Sequence, residues 1–222
     1  KVPVIAGAGS NDTQHAAALA VLALKAKADG LLVVTPYYNK PTQAGLIAHF
    51  RAVIAAAPLP TVLYNIPSRT QSDLLPESVA RLAEHEPIVA IKEATGNILR
   101  ATEILRLLGE RLTILAGDDA IALPMYAVGA KGVVSVLSNI APAWMIELDQ
   151  AVRTGDAARA RRVHERIQPL AELLFCEPNP TPIKAALALR GQIADELRLP
   201  LLPMTRENRA RLKSLLEKEG LL

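Results

Sequence analysis

The stretch Ile88-Val89-Ala90-Ile91-Lys92-Glu93-Ala94 joins four apolar residues in unbroken succession to a lysine. A strand with one wet face alternates apolar and polar residues. Unbroken apolarity instead marks parallel strands buried on both faces. Residues 2–6, 31–35, 61–64, 113–116 and 133–136 read in the same way. The six runs recur about every 20 to 30 residues, the size of one strand-plus-helix unit.

The segments between them read as helices. Residues 13–27 are rich in Ala and Leu, follow the capping candidates Ser10-Asn11-Asp12, and stop at Gly30. Pro76 occupies a first helical position, with Glu77 and Ser78 after it. Residues 97–108 are amphipathic and end at Gly109. From about residue 156 no strand signal remains, and 156–175, 182–190 and 205–219 read as helices. The alternation predicts an α/β fold, either an open doubly wound sheet or a (β/α)8 TIM-type barrel. Six βα units are visible where a closed barrel needs eight. Either two units precede Lys1 or the sheet is open. Residues 1–152 are expected to form the barrel portion and 153–222 a C-terminal helical region.

Composition narrows the function. With 21% charged and 50% hydrophobic residues, the chain of 222 residues can bury a substantial core. A formal charge of +3 is too small to imply a polyanionic partner. The basic residues Arg159, Arg161, Arg162 and Arg166 lack interleaved aromatics, so they read as a solvated helix face and no nucleic-acid partner is expected. No apolar run reaches the length of a membrane span, which excludes a membrane partner of that kind. The single cysteine, Cys176, excludes an intrachain disulfide and reads as a buried or passive thiol. The histidines His15, His49, His85 and His164 are scattered over helix-like segments and read as passive. No signal peptide is visible, and a start at Lys1 without an initiator methionine is what a fragment or processed product gives.

Lys92 is the most informative residue. A lysine at the end of a buried strand is costly unless paired or neutralised. Desolvation lowers a lysine's pKa, and a neutral amine attacks carbonyls. Barrels present catalytic residues at the C-terminal ends of their strands. A lysine snorkelling to solvent is the plain alternative. Tyr64 ends the preceding strand, where a parallel neighbour brings it close to Lys92, and a phenol can relay protons. Arg69, five residues on, can grip a carboxylate from a loop. Thr35-Pro36-Tyr37-Tyr38-Asn39-Lys40-Pro41 closes another strand with a rigid, polar-tipped loop. Gly117-Asp118-Asp119 follows the fifth run; its aspartates read as a helix cap in preference to a metal site.

These pieces resemble the dihydrodipicolinate synthase family, within the pyruvate-dependent class I aldolases. The matching segments are Gly9-Ser10-Asn11, the Thr35–Pro41 loop, Tyr64-Asn-Ile-Pro-Ser-Arg-Thr, Ile91-Lys-Glu-Ala-Thr-Gly-Asn, Gly117-Asp-Asp and Gly132-Val-Val-Ser-Val, in family order; Glu177-Pro-Asn-Pro and Pro182-Ile-Lys in the helical tail also fit. The resemblance implies condensation of pyruvate with L-aspartate 4-semialdehyde through a lysine Schiff base, in lysine (diaminopimelate) biosynthesis, without metal or organic cofactor. It implies that Lys92 forms the imine and Tyr64 relays protons. Tyr38 reaches across a tight dimer interface, Arg69 holds the second substrate's carboxylate, and Gly117 and Val134 line the pocket. It also implies a homo-oligomer, dimer or tetramer, in the cytoplasm. Asn11, His15 and Tyr37 fall on the family's lysine-effector positions, and His15 stands where lysine-sensitive members often carry glutamate. Gln71 replaces the glycine usual after Ser-Arg-Thr. The family's N-terminal strands and Gly-Thr-Thr-Gly-Glu loop, with its relay threonine, have no counterpart in the sequence. The neighbouring expectations are a related aldolase acting on a sugar acid, like N-acetylneuraminate lyase, and an inactive truncated chain.

Overall fold

The computed structural model describes residues 2–84 and 87–222, so His85 lies outside the described residues. Six strands form one sheet in the order β1-β2-β3-β4-β5-β6, every neighbouring pair parallel. They are β1 (Ile5–Gly7), β2 (Gly30–Val34), β3 (Thr61–Asn65), β4 (Ile88–Glu93), β5 (Thr113–Ala116) and β6 (Gly132–Val133). Helices follow the strands: α1 (Thr13–Lys25), α2 (Gln43–Ala56), α3 (Pro67–Thr70), α4 (Pro76–Ala83), α5 (Ile98–Leu108) and α6 (Ala122–Ala127). Then come α7 (Pro142–Arg153), α8 (Ala157–Leu174), α9 (Thr181–Leu189) and α10 (Arg206–Lys218). The α/β class and the sequential parallel order match the reading of the apolar runs. Among the described residues no helix is long and apolar enough to cross a membrane.

The chain divides into two compact units. One comprises Lys1–Gly117 and Pro124–Val133; the other comprises Asp118–Leu123 and Val134–Leu222. The first holds the sheet. Its helices form a layer in chain order, α1 against α2, α2 against α4 and α4 against α5, with α4 also on β4. Leu31, Val33, Leu63, Ile91 and Ile114 are fully buried. The alternate residues Leu32, Val34, Tyr64, Lys92 and Leu115 are only partly buried. Burial on both faces, expected from the unbroken apolarity, therefore holds for one face. Apolarity of a run reports that a strand is internal; it does not report how completely each face is covered.

The caps fall where the sequence placed them. Asp12 accepts the His15 N–H at 2.7 Å ahead of α1, Pro76 opens α4, and Asn97 accepts the Leu99 N–H at 3.0 Å ahead of α5, which ends at Gly109 with φ 57°. The stop of α1 differs. The helix ends at Lys25, two residues short of expectation, and Lys27 takes the left-handed conformation (φ 61°) that Gly30 was expected to supply. Gly30 instead opens β2. The last strand is shorter than its apolar run. Val134 to Val136 leave the sheet, because the Asp119 carboxylate accepts both the Val136 and Leu137 N–H at 2.9 Å and starts a 3-10 turn there.

In the second unit α7 packs on α8, and α10 on both α8 and α9. The arginine cluster of α8 is paired with acids within this unit. Arg159 meets Glu147 at 3.0 Å, Arg166 meets Glu219 at 3.0 Å, and Arg161 lies 3.8 Å from Glu165. Arg166 also stacks over Trp144, 4.1 Å from its ring centroid. Cys176 is exposed, which corrects the buried reading. Its thiol pKa is held up, first by desolvation of the sulfur and then by Glu177, and a thiol held protonated is a poor nucleophile.

Gln71 follows α3 in the left-handed conformation, φ 59° and ψ 14°. A side chain there costs about 1 kcal/mol that glycine avoids, offset in part by glycine's freer unfolded state. Gln71→Gly is expected to raise the unfolding free energy by about 0.5 kcal/mol, read from the denaturant midpoint. A lower midpoint would show that the Gln71 side chain stabilises the loop.

Candidate active site

Strands β3 and β4 are in register with Tyr64 opposite Lys92 and Asn65 opposite Glu93. Paired positions share a face, so the phenol and the amine project together from the C-terminal ends of adjacent strands. The Lys92 Nζ lies 4.0 Å from the centroid of the Tyr64 ring. At that distance the aromatic face attracts the ammonium and aims the lysine along the ring. Burial pushes the Tyr64 hydroxyl pKa up, and the Arg69 guanidinium offsets part of this. The phenol therefore carries its proton at neutral pH.

A cavity of about 470 Å³ opens beside this pair, large enough for two small substrates. Leu32 and Val34 of β2 form its apolar wall, with Gly7 and Gly9 from the end of β1; Tyr37, Tyr64, Arg69 and Thr70 supply polar groups. Tyr64 is common to the cavity wall and to the contact with Lys92.

The loop carrying Arg69 is fastened to the loop carrying the paired tyrosines. Thr35 Oγ1 donates to Thr70 Oγ1 at 3.1 Å, Ser72 Oγ donates to the Pro36 carbonyl at 2.6 Å, and the Tyr38 N–H donates to the Thr70 carbonyl at 3.1 Å. Tyr38 pays no burial for this: its side chain is 86% exposed, and its φ of 77° is unusual for a residue with a Cβ. Tyr37 turns to the cavity. The Asn39 amide donates to the Asn11 carbonyl at 2.8 Å, which joins Asn11 to the tyrosine loop. His15 stands exposed on the first turn of α1. Of the two remaining histidines, His49 is buried on α2 with Nδ1 2.9 Å from Thr13 Oγ1, and His164 lies beside Gln168 on α8.

Gly117 is a point of close approach. Its N–H donates to the Glu93 carbonyl at 2.8 Å, and a Cβ there would stand 2.5 Å from the Ala94 Cβ. Glycine lets the end of β5 press on the residues that follow Lys92. Val134 belongs to the second unit, directly after β6. In that unit Asp118 accepts the Ala120 N–H at 2.9 Å and caps a turn, as its position suggested. Among the described residues no group of three or more His, Cys, Asp or Glu side chains is placed to hold a metal ion.

Sequence reasoning missed the residues directly behind the pair. Asn65 and Glu93 follow Tyr64 and Lys92 on their strands and point to the opposite face, where both are buried. Asn65 Nδ2 donates to Asp73 Oδ1 at 3.0 Å and to Glu93 Oε2 at 3.3 Å, while Asn65 Oδ1 accepts the Leu74 N–H at 3.0 Å. Glu93 Oε1 accepts the Thr95 N–H at 2.7 Å, and Arg100 of α5 holds Asp73 through two nitrogens, at 3.1 and 2.9 Å. Burial pushes the Glu93 carboxyl pKa up, against the hydrogen bonds from Thr95 and Asn65 that lower it. The signal available in the sequence was an amide and an acid at helix-facing positions of two apolar strands.

Comparison with known proteins places this arrangement in a lineage. The profile of the dihydrodipicolinate synthetase family matches residues 1–219. The 4-hydroxy-tetrahydrodipicolinate synthase of Geobacter sulfurreducens is 51% identical over 222 residues, all of this chain and 77% of that protein. The crystal structure of dihydrodipicolinate synthase from Aquifex aeolicus superposes with a TM-score of 0.97 at 46% identity, over 99% of this chain and 75% of that one. The chloride-inhibited dihydrodipicolinate synthase of Acinetobacter baumannii, solved in complex with pyruvate, gives 0.96 at 41% identity, over 100% of this chain and 76% of that one. A match along almost the whole chain, at about half of its residues in the nearest of these, is decisive: the chain belongs to the dihydrodipicolinate synthetase family.

Proposed function

We propose that this protein is a Schiff-base-forming lyase that condenses pyruvate with L-aspartate 4-semialdehyde, as a 4-hydroxy-tetrahydrodipicolinate synthase of lysine biosynthesis. The observation that carries the reading is the Tyr64–Lys92 pair at adjacent strand ends, beside a cavity walled in part by Arg69. The names of the relatives favour the synthase over a sugar-acid aldolase.

Lys92 attacks the keto carbon of pyruvate. Tyr64 passes protons as the carbinolamine forms and loses water, giving the imine. The protonated imine acidifies the neighbouring methyl group, and loss of a proton gives an enamine. Its carbon attacks the aldehyde of the second substrate, whose oxygen takes up a proton. The amine of that substrate then displaces Lys92, closing the ring and freeing the enzyme. Arg69 holds the second substrate's carboxylate, Gly117 and Val134 line the pyruvate side, and Tyr38 serves the site of a neighbouring copy. The protonated imine is the electron sink, so the chemistry calls on no metal or organic cofactor.

The six βα units correspond in this reading to the greater part of a (β/α)8 barrel followed by a helical region over residues 153–222; the relatives are longer than the chain, which covers 77% of one of them. A cytoplasmic homo-oligomer, dimer or tetramer, fits the exposed Tyr38. Asn11, His15 and Tyr37 form the proposed effector site, and with His15 in place of a carboxylate the ammonium of lysine lacks a charge partner. Free lysine is accordingly expected to leave turnover unchanged; half-inhibition below millimolar concentration would contradict this.

Incubation with pyruvate and borohydride, followed by peptide mapping, tests the mechanism, and a coupled assay with aspartate semialdehyde against a sugar acid tests the substrate. Turnover of the sugar acid alone rules out the synthase. Arg69→Ala is expected to raise KM for aspartate semialdehyde about 10- to 100-fold, the worth of a charge-assisted hydrogen-bond pair, while pyruvate is still trapped. Loss of pyruvate trapping in that variant would contradict the assignment.

A further inference from the structure

The side chain of Asn65 does two things at once. Its oxygen and nitrogen close the segment from Asn65 to Leu74, the loop that carries Arg69, by bonding Leu74 N–H and Asp73 at its far end. The same nitrogen reaches Glu93, the residue next to Lys92 on β4. Glu93 in turn orders the turn after β4 through the Thr95 N–H, and Arg100 fixes Asp73 and the Leu74 carbonyl from α5. Asn65 is fully buried and Glu93 is 2% exposed, so water does not substitute for a lost bond.

We propose that the Asn65 amide, held between the Asp73–Leu74 end of the Arg69 loop and Glu93 of β4, is a latch that sets the position of Arg69 relative to Lys92. Asn65 and Glu93 are positioning residues: they act through Arg69 and Lys92. This rests on the roles given above to those two residues. The geometry has a further consequence for Glu93. The Asn65 oxygen is committed to the Leu74 N–H, so the amide cannot flip to accommodate a donor at position 93. Glu93 needs both of its oxygens, one for Thr95 and one for Asn65. Glutamine has a single acceptor and must give up one of the two.

The test compares Asn65→Ala, Arg69→Ala and the double variant in the whole chain. Asn65→Ala is expected to raise KM for aspartate semialdehyde about tenfold and to leave the rate of borohydride trapping of pyruvate within about twofold. With Arg69 already alanine, the same change adds less than about twofold, because the latch acts through that arginine. A purely structural role predicts a lower melting temperature, equal damage to both substrates and additive losses, and that pattern overturns the proposal. Should Asn65→Ala fail to fold, Glu93→Gln is measured by the same two criteria. A wild-type chain that traps no pyruvate contradicts the role of Lys92 and not the latch. The latch is then read with trypsin: cleavage after the exposed Arg69 should be at least about tenfold faster in Asn65→Ala or Glu93→Gln than in wild type, and equal rates overturn it.

Discussion

Replacing Lys92 by alanine abolishes the borohydride-trapped pyruvyl adduct and lowers turnover at least about 10³-fold, the scale seen when a covalent nucleophile is removed. The fold should survive the change. Lys92 is only partly buried, on the less covered face of the sheet, so alanine leaves no closed apolar void there. What is lost is the ammonium over the Tyr64 ring, about 0.5 to 1 kcal/mol at a partly exposed site. For a chain of this length that moves the melting temperature by at most about 4 °C. Intact mass after incubation with pyruvate and borohydride gives the first result, and a thermal scan gives the second. An adduct of unchanged yield in Lys92→Ala, mapped to another lysine, would reassign the nucleophile.

The pairing of Lys92 with Tyr64 was legible because two simple rules coincide. Each residue ends an apolar run, and consecutive runs in a βα series become parallel neighbours. The register then had only to align the two run ends, and it does. Arg69 followed from its place in the next loop, although the bonds that fasten that loop, from Thr35, Thr70 and Ser72, come from residues about 35 positions apart. The end of β6 was not legible for a related reason. Val133 to Val136 reads as a strand in isolation, and only the carboxylate of Asp119, 17 positions earlier, turns it out of the sheet. Asn65 and Glu93 lay inside quoted motifs without a role. Their chemistry is invisible until the helix layer buries them, and only then does an amide become a junction between two loops. Cys176 shows the converse error, in which an apolar neighbourhood in sequence was taken for burial in space.

Tyr64→Phe is expected to lower kcat about 10²- to 10³-fold while leaving pyruvate trapping on Lys92 detectable but slow. Phenylalanine keeps the ring, and with it the 4.0 Å contact that aims the lysine, so the loss reports the hydroxyl alone. A lysine misplaced by the mutation would raise KM for pyruvate as well; a relay lost at constant geometry lowers kcat and spares KM. The pH dependence separates the roles further. Burial raises the Tyr64 pKa above its ordinary value near 10, so the proton is present throughout the neutral range and the group is a donor that must be reloaded at each turnover. The wild-type profile of kcat/KM should therefore show no tyrosine limb below about pH 10, and the phenylalanine variant should have a profile of the same shape displaced downward. A limb near neutrality that disappears in Tyr64→Phe would mean that the phenol titrates there, acts as a base in its ionised form, and is governed by the Arg69 charge more than by burial.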